Sequence, residues 1–192
     1  MRLILASASI RRAEVLRNAG LLHFQVLSSA VDETPLPGEA ANALVRRLAE
    51  AKAELVAARA IGPAIIVAAD TTIALDGRIL GKPRSSEEVR SMLRQLSGRT
   101  HAVHTGLALV QLPDMERRSA VETTLVTFSP LTDAEISQYL ASGEPFDKAG
   151  AYAIQGHAGR FIPRIEGDYF NVVGLPLARL YHFLRELGWG EE

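Results

Sequence analysis

The sequence predicts an α/β protein built on an elongated mixed β-sheet flanked by helices. Three observations carry this. Strand-like and helix-like segments alternate through the first half of the chain, residues 64–75 form an apolar run rich in Ile and Val, and two β-type runs at 101–112 and 119–128 follow each other as an antiparallel hairpin. With 192 residues, 47% of them apolar, the chain can bury a substantial core. No repeat, low-complexity tract or linker divides it, so residues 1–192 read as one domain.

The elements follow in order. Residues 2–5 (RLIL) make a short buried strand, Ser7-Ala8-Ser9 a turn, and 10–19 a helix stopped by Gly20. A second strand at 24–28 leads through the loop VDETPLPGE into a long amphipathic helix over 39–60, closed by Pro63. The run at 64–75 is too rich in β-branched residues and too close to Pro63 to be another helix, and reads as a central strand. Asp76-Gly77 is a tight-turn signal that lets residues 79–80 pair back. Ser85 with Glu88, and Thr132 with Glu135, are capping-box patterns that open helices ended by Gly98 and Gly143. The segment EPFDKAGAYAIQGHAG reads as a structured loop containing a strand, 161–165 as a further strand, and Pro176 opens a last helix that stops at Gly188.

Composition excludes several chemistries. The chain has no cysteine, which rules out disulfide scaffolds, thiolate zinc sites, iron–sulfur clusters and cysteine nucleophiles. Lys plus Arg number 21 against 22 Asp plus Glu, a formal charge of -1, which argues against a general nucleic-acid or anionic-membrane coat. The start, MRLILASASIRR, lacks the apolar stretch and cleavage site of a signal peptide, and no apolar run has transmembrane length, so a cytoplasmic location is expected.

Five places could carry chemistry. Ser7-Ala8-Ser9 followed by Arg11 and Arg12 puts hydroxyls, free N–H groups and two guanidiniums at a helix start, which suits a phosphate. The same residues also read as an N-cap serine with two solvated arginines, although cations are disfavoured at that end of a helix. Asp70 interrupts the apolar run IIVAADTTIAL, and a carboxylate there needs a cation, a metal ion or backbone donors. Lys52 falls on or beside the stripe Leu44, Leu48, Leu55, with its ammonium directed inward or snorkelling to water. Lys82, between Gly81 and Pro83, and Lys148, in the Gly-rich loop, are further candidates.

Other patterns fail. GRILGK has the wrong spacing for a phosphate-binding P-loop and is followed by proline. GHAG at 156–159 lacks the helices and basic patch of an RNA-binding loop. His101 and His104, three apart on a strand, face opposite sides and read as structural.

Taken in order, LASASIRR, VDE at 31–33, AEAKAE around Lys52, AADTTIALDGRILGKP, LSGRTHAVHTG, SGEPFDKAGAYAIQG and GDYFNVVGLPL resemble the Maf family of nucleoside triphosphate pyrophosphatases over nearly the whole chain. The resemblance implies a fold like that of inosine triphosphate pyrophosphatases, with two lobes around a central cleft. It also implies hydrolysis of a nucleoside triphosphate to the monophosphate and pyrophosphate with a divalent cation, Mg²⁺ or Mn²⁺. Carried over by position, it implies substrate binding by Ser7, Arg11, Arg12, Lys52, Thr71, Lys82 and Gln155, metal binding by Glu33 and Asp70, and proton acceptance by Asp70. Ile10 stands where the family usually has proline.

GAYAIQG, with Gln155, resembles the branch acting on dTTP and UTP rather than the sister branch acting on 7-methyl-GTP. A glutamine amide offers the donor and acceptor that the O4 and N3–H edge of uracil or thymine needs. The family was first described through septum formation, so a non-catalytic nucleotide-binding regulator of cell division is the competing reading. The implied partner is a nucleoside triphosphate, without nucleic acid or membrane, and a homodimer stays open.

Overall fold

In the computed structural model, which describes residues 1–190, seven strands form one mixed sheet. The strands are β1 (Arg2–Leu5), β2 (Phe24–Val26), β3 (Ala64–Leu75), β4 (Arg78–Leu80), β5 (Thr100–Leu112), β6 (Glu116–Thr127) and β7 (Arg164–Glu166). They are ordered β2-β1-β3-β5-β6-β7, with β4 also paired to β3. The β1 pairings to β2 and β3 are parallel and all the others antiparallel. Six helices surround the sheet: α1 (Ile10–Asn18), α2 (Ala41–Ala57), α3 (Ser86–Leu96), α4 (Asp133–Ala141), α5 (Tyr169–Val173) and α6 (Leu177–Glu186). Among the described residues no helix is long and apolar enough to cross a membrane.

Strand alternation divides the core. Ile65, Val67 and Ala69 of β3 pack with Leu107 and Leu109 of β5 against α1 and α6, through Leu16, Leu180, Phe183 and Leu184. On the opposite face Ala64, Ile66 and Ala68 meet Ala49, Ala53, Val56 and Ala57 of α2. Small residues on both sides of that layer let α2 settle close to the sheet. Further along the same strands, Ile73, Leu75, Val103 and Val126 belong to a separate apolar cluster with α3, α4 and the aromatic group Phe128, Tyr139, Tyr152 and Phe161. The strands therefore pass from one apolar region into another, and the β3 residues at the crossing are polar: Asp70 pairs with Gly106, Thr71 with Thr105 and Thr72 with His104.

The capping patterns differ in outcome. Thr132 and Glu135 form the full reciprocal box, worth about 1 kcal/mol. Ser85 accepts the Glu88 N–H, but the Glu88 carboxylate accepts from Arg84 N–H instead of returning to Ser85. Glu39 lies before α2, its carboxylate held by the Leu36 N–H and by Arg47.

Several expectations need correction. The segment 144–159 contains no strand. Its backbone makes two 3-10 turns, Ala149–Ala151 and His157–Phe161, because Tyr152 is drawn into the aromatic cluster and the glycines favour tight turns over an extended ladder. The strand expected at 161–165 is the shorter β7, since Phe161 closes the second turn and is buried against Phe128 and Tyr139. The hairpin connection is tighter than PDMERR suggests: Arg117 and Arg118 already pair with Val110 and Leu109. The helix α5 went unrecognised; its five residues are too few to show helical periodicity.

Candidate active site

β3 changes partner along one edge. β1 pairs with it as far as Val67, where the Ala6 N–H adds a last bond to the Val67 carbonyl, and β4 begins only at Ile73. Residues 68–72 therefore have no strand on that side. The chain leaving the carboxyl end of β1, which carries Ser7, enters here, at the kind of strand-end crevice where α/β sheets commonly hold ligands. Asp70 and Thr71 sit in this gap with side chains on opposite faces, so groups from α2 and from α1 both reach it.

On the α2 face, Gly106 lies opposite Asp70 in the β3–β5 ladder. A Cβ there would overlap the backbone of Val45 and Arg46, so glycine permits the close approach of α2. Two turns along α2, Lys52 is turned inward and only 6% exposed. Its Nζ donates to Asp70 Oδ1 at 2.6 Å and to Glu33 Oε1 at 2.5 Å. The buried stripe runs through Leu44, Leu48 and Lys52 with Val45, Ala49 and Val56, while Leu55 lies at its rim. Glu33 comes from the loop before α2, which Arg47 clamps through Glu39 and the Thr34 carbonyl. Lys82 Nζ stands 3.9 Å from Glu33 Oε2, following β4.

Burial pushes the Asp70 carboxyl above the ordinary aspartate value, and Lys52 only partly offsets this. Burial acts the same way on Glu33, but there the bond from Lys52 and the fields of Lys52, Lys82 and Arg12 prevail and hold it below the usual value. The two carboxylates thus differ in proton affinity although they share one ammonium. Asp70 Oδ2 accepts no hydrogen bond among the described residues.

On the α1 face, Ser9 is the N-cap by position, yet its side chain does not cap the helix. Ser7 Oγ instead accepts from the Ser9 N–H and from Arg12 Nη1 at 3.1 Å. Arg12 also donates through Nη2 to Thr71 Oγ1 at 3.1 Å and through Nε to the Gly174 carbonyl at 2.8 Å. Burial lowers its affinity for the proton against the field of Asp70, but a guanidinium stays charged. Arg11 is half-buried and makes no hydrogen bond among the described residues, and Ile10 is 74% exposed at the helix start.

The structure therefore gathers Ser7, Arg12, Glu33, Lys52, Asp70 and Thr71, with Lys82 at the edge. Gln155 is exposed in the turn between the two 3-10 segments and bonds none of them among the described residues. Lys148 is spent on the Glu144 carbonyl and Asp147. His101 and His104 bond Tyr152 and Thr123 respectively, each within the scaffold. The residues that sequence reasoning missed are Gly106 and Gly174, both inside the motif strings. Their signal was a glycine in a long strand and a glycine ahead of Leu-Pro. An apolar hollow lined by Leu21, Phe170, Leu177 and Tyr181 contains none of the residues gathered here.

Residues 2–187 match the family model described as Maf-like protein. The dTTP/UTP pyrophosphatase of Carboxydothermus hydrogenoformans is 50% identical over 192 residues, covering 98% of this chain and all of the relative. That of Salinibacter ruber is 51% identical over 184 residues, covering 95% of this chain and 89% of the relative. Among solved structures, the Ham1 protein of Staphylococcus aureus superposes with a TM-score of 0.53 at 16% identity, covering 97% of this chain and 99% of that one, a likeness of fold. With a family model spanning all but the ends and relatives identical at half their positions, this chain belongs to the Maf-like protein family.

Proposed function

We propose that this chain hydrolyses dTTP and UTP to the nucleoside monophosphate and pyrophosphate. The observation that carries the reading is the buried Lys52 holding Asp70 and Glu33 together beside Arg12: two carboxylates of unequal proton affinity among cations that suit a polyphosphate. The dTTP/UTP names of relatives at about half identity support the choice of base.

In this mechanism Arg12, Arg11 and Lys82 bind the triphosphate, and Ser7 orients Arg12. Asp70 takes a proton from the water that attacks the α-phosphorus. The new bond is water oxygen to α-phosphorus, and the bond broken joins that phosphorus to the oxygen bridging to the β-phosphate, so pyrophosphate leaves. A carboxylate with raised proton affinity is a better base than an ordinary one. Lys52 keeps Asp70 oriented and offsets the charge of both carboxylates. Developing charge on the phosphate oxygens is met by guanidinium and ammonium groups already in place, so little reorganisation is needed. Gln155 reads the O4 and N3–H edge of the base.

The carboxylate oxygens not engaged by Lys52, Asp70 Oδ2 and Glu33 Oε2, are hard donors of the kind Mg²⁺ or Mn²⁺ takes. Among the described residues no three His, Cys, Asp or Glu side chains gather, so an ion here would complete its shell with substrate oxygens and water. Glu33 and Asp70 would hold it, and when bound it supplies Lewis-acid neutralisation of the triphosphate.

The test is a panel of dTTP, UTP, CTP and 7-methyl-GTP with Mg²⁺ or Mn²⁺, measuring pyrophosphate and orthophosphate separately. Pyrophosphate from dTTP and UTP, abolished by EDTA, is expected. Orthophosphate with a diphosphate product, or a preference for 7-methyl-GTP, overturns the reading.

A further inference from the structure

The string GDYFNVVGLPL has no part in the charged cluster, yet it supplies the carbonyl that grips Arg12. Gly174 ends α5 with φ 116°, a left-handed conformation that side chains rarely adopt, and a Cβ there would crowd Thr71 Oγ1 at 3.3 Å. Its position is set from below. Asn171 is fully buried, and its Nδ2 donates to the Val103 carbonyl at 3.1 Å and to Thr124 Oγ1 at 3.0 Å, pinning α5 to β5 and β6. Thr105, also fully buried, donates to the Asn171 carbonyl at 3.0 Å and lies 2.9 Å from Thr71 Oγ1.

These contacts decide which way the protons point. Thr105 has one hydroxyl proton and gives it to Asn171, so in the bond to Thr71 it can only accept. Thr71 therefore gives its own proton to Thr105, and its oxygen is left purely as an acceptor facing Arg12 Nη2. The chain runs one way, from Arg12 through Thr71 and Thr105 to the Asn171 carbonyl. Arg12 has five N–H donors, of which Ser7, Thr71 and Gly174 take three, leaving one on each terminal nitrogen.

We propose that Thr105 is a positioning residue for Arg12: by fixing Thr71 as an acceptor and anchoring the segment that carries Gly174, it holds the guanidinium with two N–H groups free for the triphosphate. This rests on the reading of Arg12 as a triphosphate ligand. Thr105 touches no substrate and acts only through Thr71 and α5.

The experiment is a double-mutant cycle read by binding of the non-hydrolysable analogue α,β-imido-dUTP with Mg²⁺, using calorimetry on the full chain. Thr105→Val removes the hydroxyl at nearly constant shape and should weaken binding roughly tenfold, the scale of one lost hydrogen bond. Thr105→Ser keeps the hydroxyl and should bind as the wild type does. In an Arg12→Ala background Thr105→Val should cost nothing further, because the group it positions is gone. Equal losses in both backgrounds, or a Thr105→Ser variant as weak as Thr105→Val, overturn the proposal. Should Thr105→Val not fold, Thr105→Ala runs the same cycle with the same outcomes. A wild type that fails to bind the analogue, or an Arg12→Ala variant that binds it undiminished, overturns the reading of the site itself, and the proposal with it.

Discussion

Lys52 Nζ and Asp70 Oδ1 meet at 2.6 Å across a helix–sheet interface, and Gly106, the ladder partner of Asp70, is what lets the helix come that close. The pair has few alternatives: both groups are largely withdrawn from water, so each needs the other more than an exposed ion pair would.

Asp70→Asn keeps the size of the side chain but cannot accept a proton from water. Turnover of dTTP should fall by about 10²–10⁴-fold while the variant remains folded and binds nucleotide. In the wild type, kcat/KM should decline as the pH falls through the Asp70 pKa, which burial places above the ordinary 3.8, because only the ionised form acts as base. Near wild-type kcat in the variant would reduce Asp70 to the ion-pair partner of Lys52.

Gly106→Ala should damage the site from outside it. The new methyl meets the backbone of Val45 and Arg46, and overpacking of this kind costs about 1–3 kcal/mol. Displacing α2 also moves Lys52, so activity should drop under conditions where the variant is still fully folded, as checked by urea unfolding and by turnover of the same sample. Loss of stability with full turnover would mean that Lys52 does not depend on this approach.

His101 is buried against Phe128 and Tyr152, and burial lowers its pKa to about 4. The unfolded chain takes up this proton near 6.5 and the folded protein does not, so the contribution to stability is complete above 6.5 and is lost as the pH falls from there through about 4. Between pH 7 and pH 5 the unfolding free energy should fall by about 2 kcal/mol on account of this one residue. Comparing urea denaturation of the wild type with His101→Gln at both pH values isolates it, and an equal pH slope in the two proteins would show that His101 does not carry the effect.

Gln155→Leu tests base recognition apart from the phosphate grip. If the amide pairs with the uracil edge, the ratio of kcat/KM for UTP over CTP should shrink roughly tenfold, since an unpaired polar edge costs about 1–3 kcal/mol. Activity toward UTP should otherwise persist, because Gln155 bonds none of the charged cluster. An unchanged ratio would place recognition of the base on other groups.

Local chemistry made much of the fold legible from sequence. The capping pair Thr132 and Glu135, the Asp76-Gly77 turn and the β-branched run of β3 each depend on neighbours within a few residues, and all three form as expected. The need of Asp70 for a partner was equally readable, because a carboxylate in an apolar strand is costly whatever surrounds it. Which partner it takes was not. Lys52 on the rim of an apolar stripe could have pointed either way, and only the approach of α2 over Gly106 turns it inward. The role of Gly174 was hidden for the same reason: its carbonyl meets a guanidinium 162 residues earlier in the chain, and α5 is too short to announce itself. Hydrogen bonding along a helix or to a cap is decided within one turn of chain, whereas the choice of ion-pair and hydrogen-bond partners across the gap between β1 and β4 is decided by which surfaces the packed core brings together.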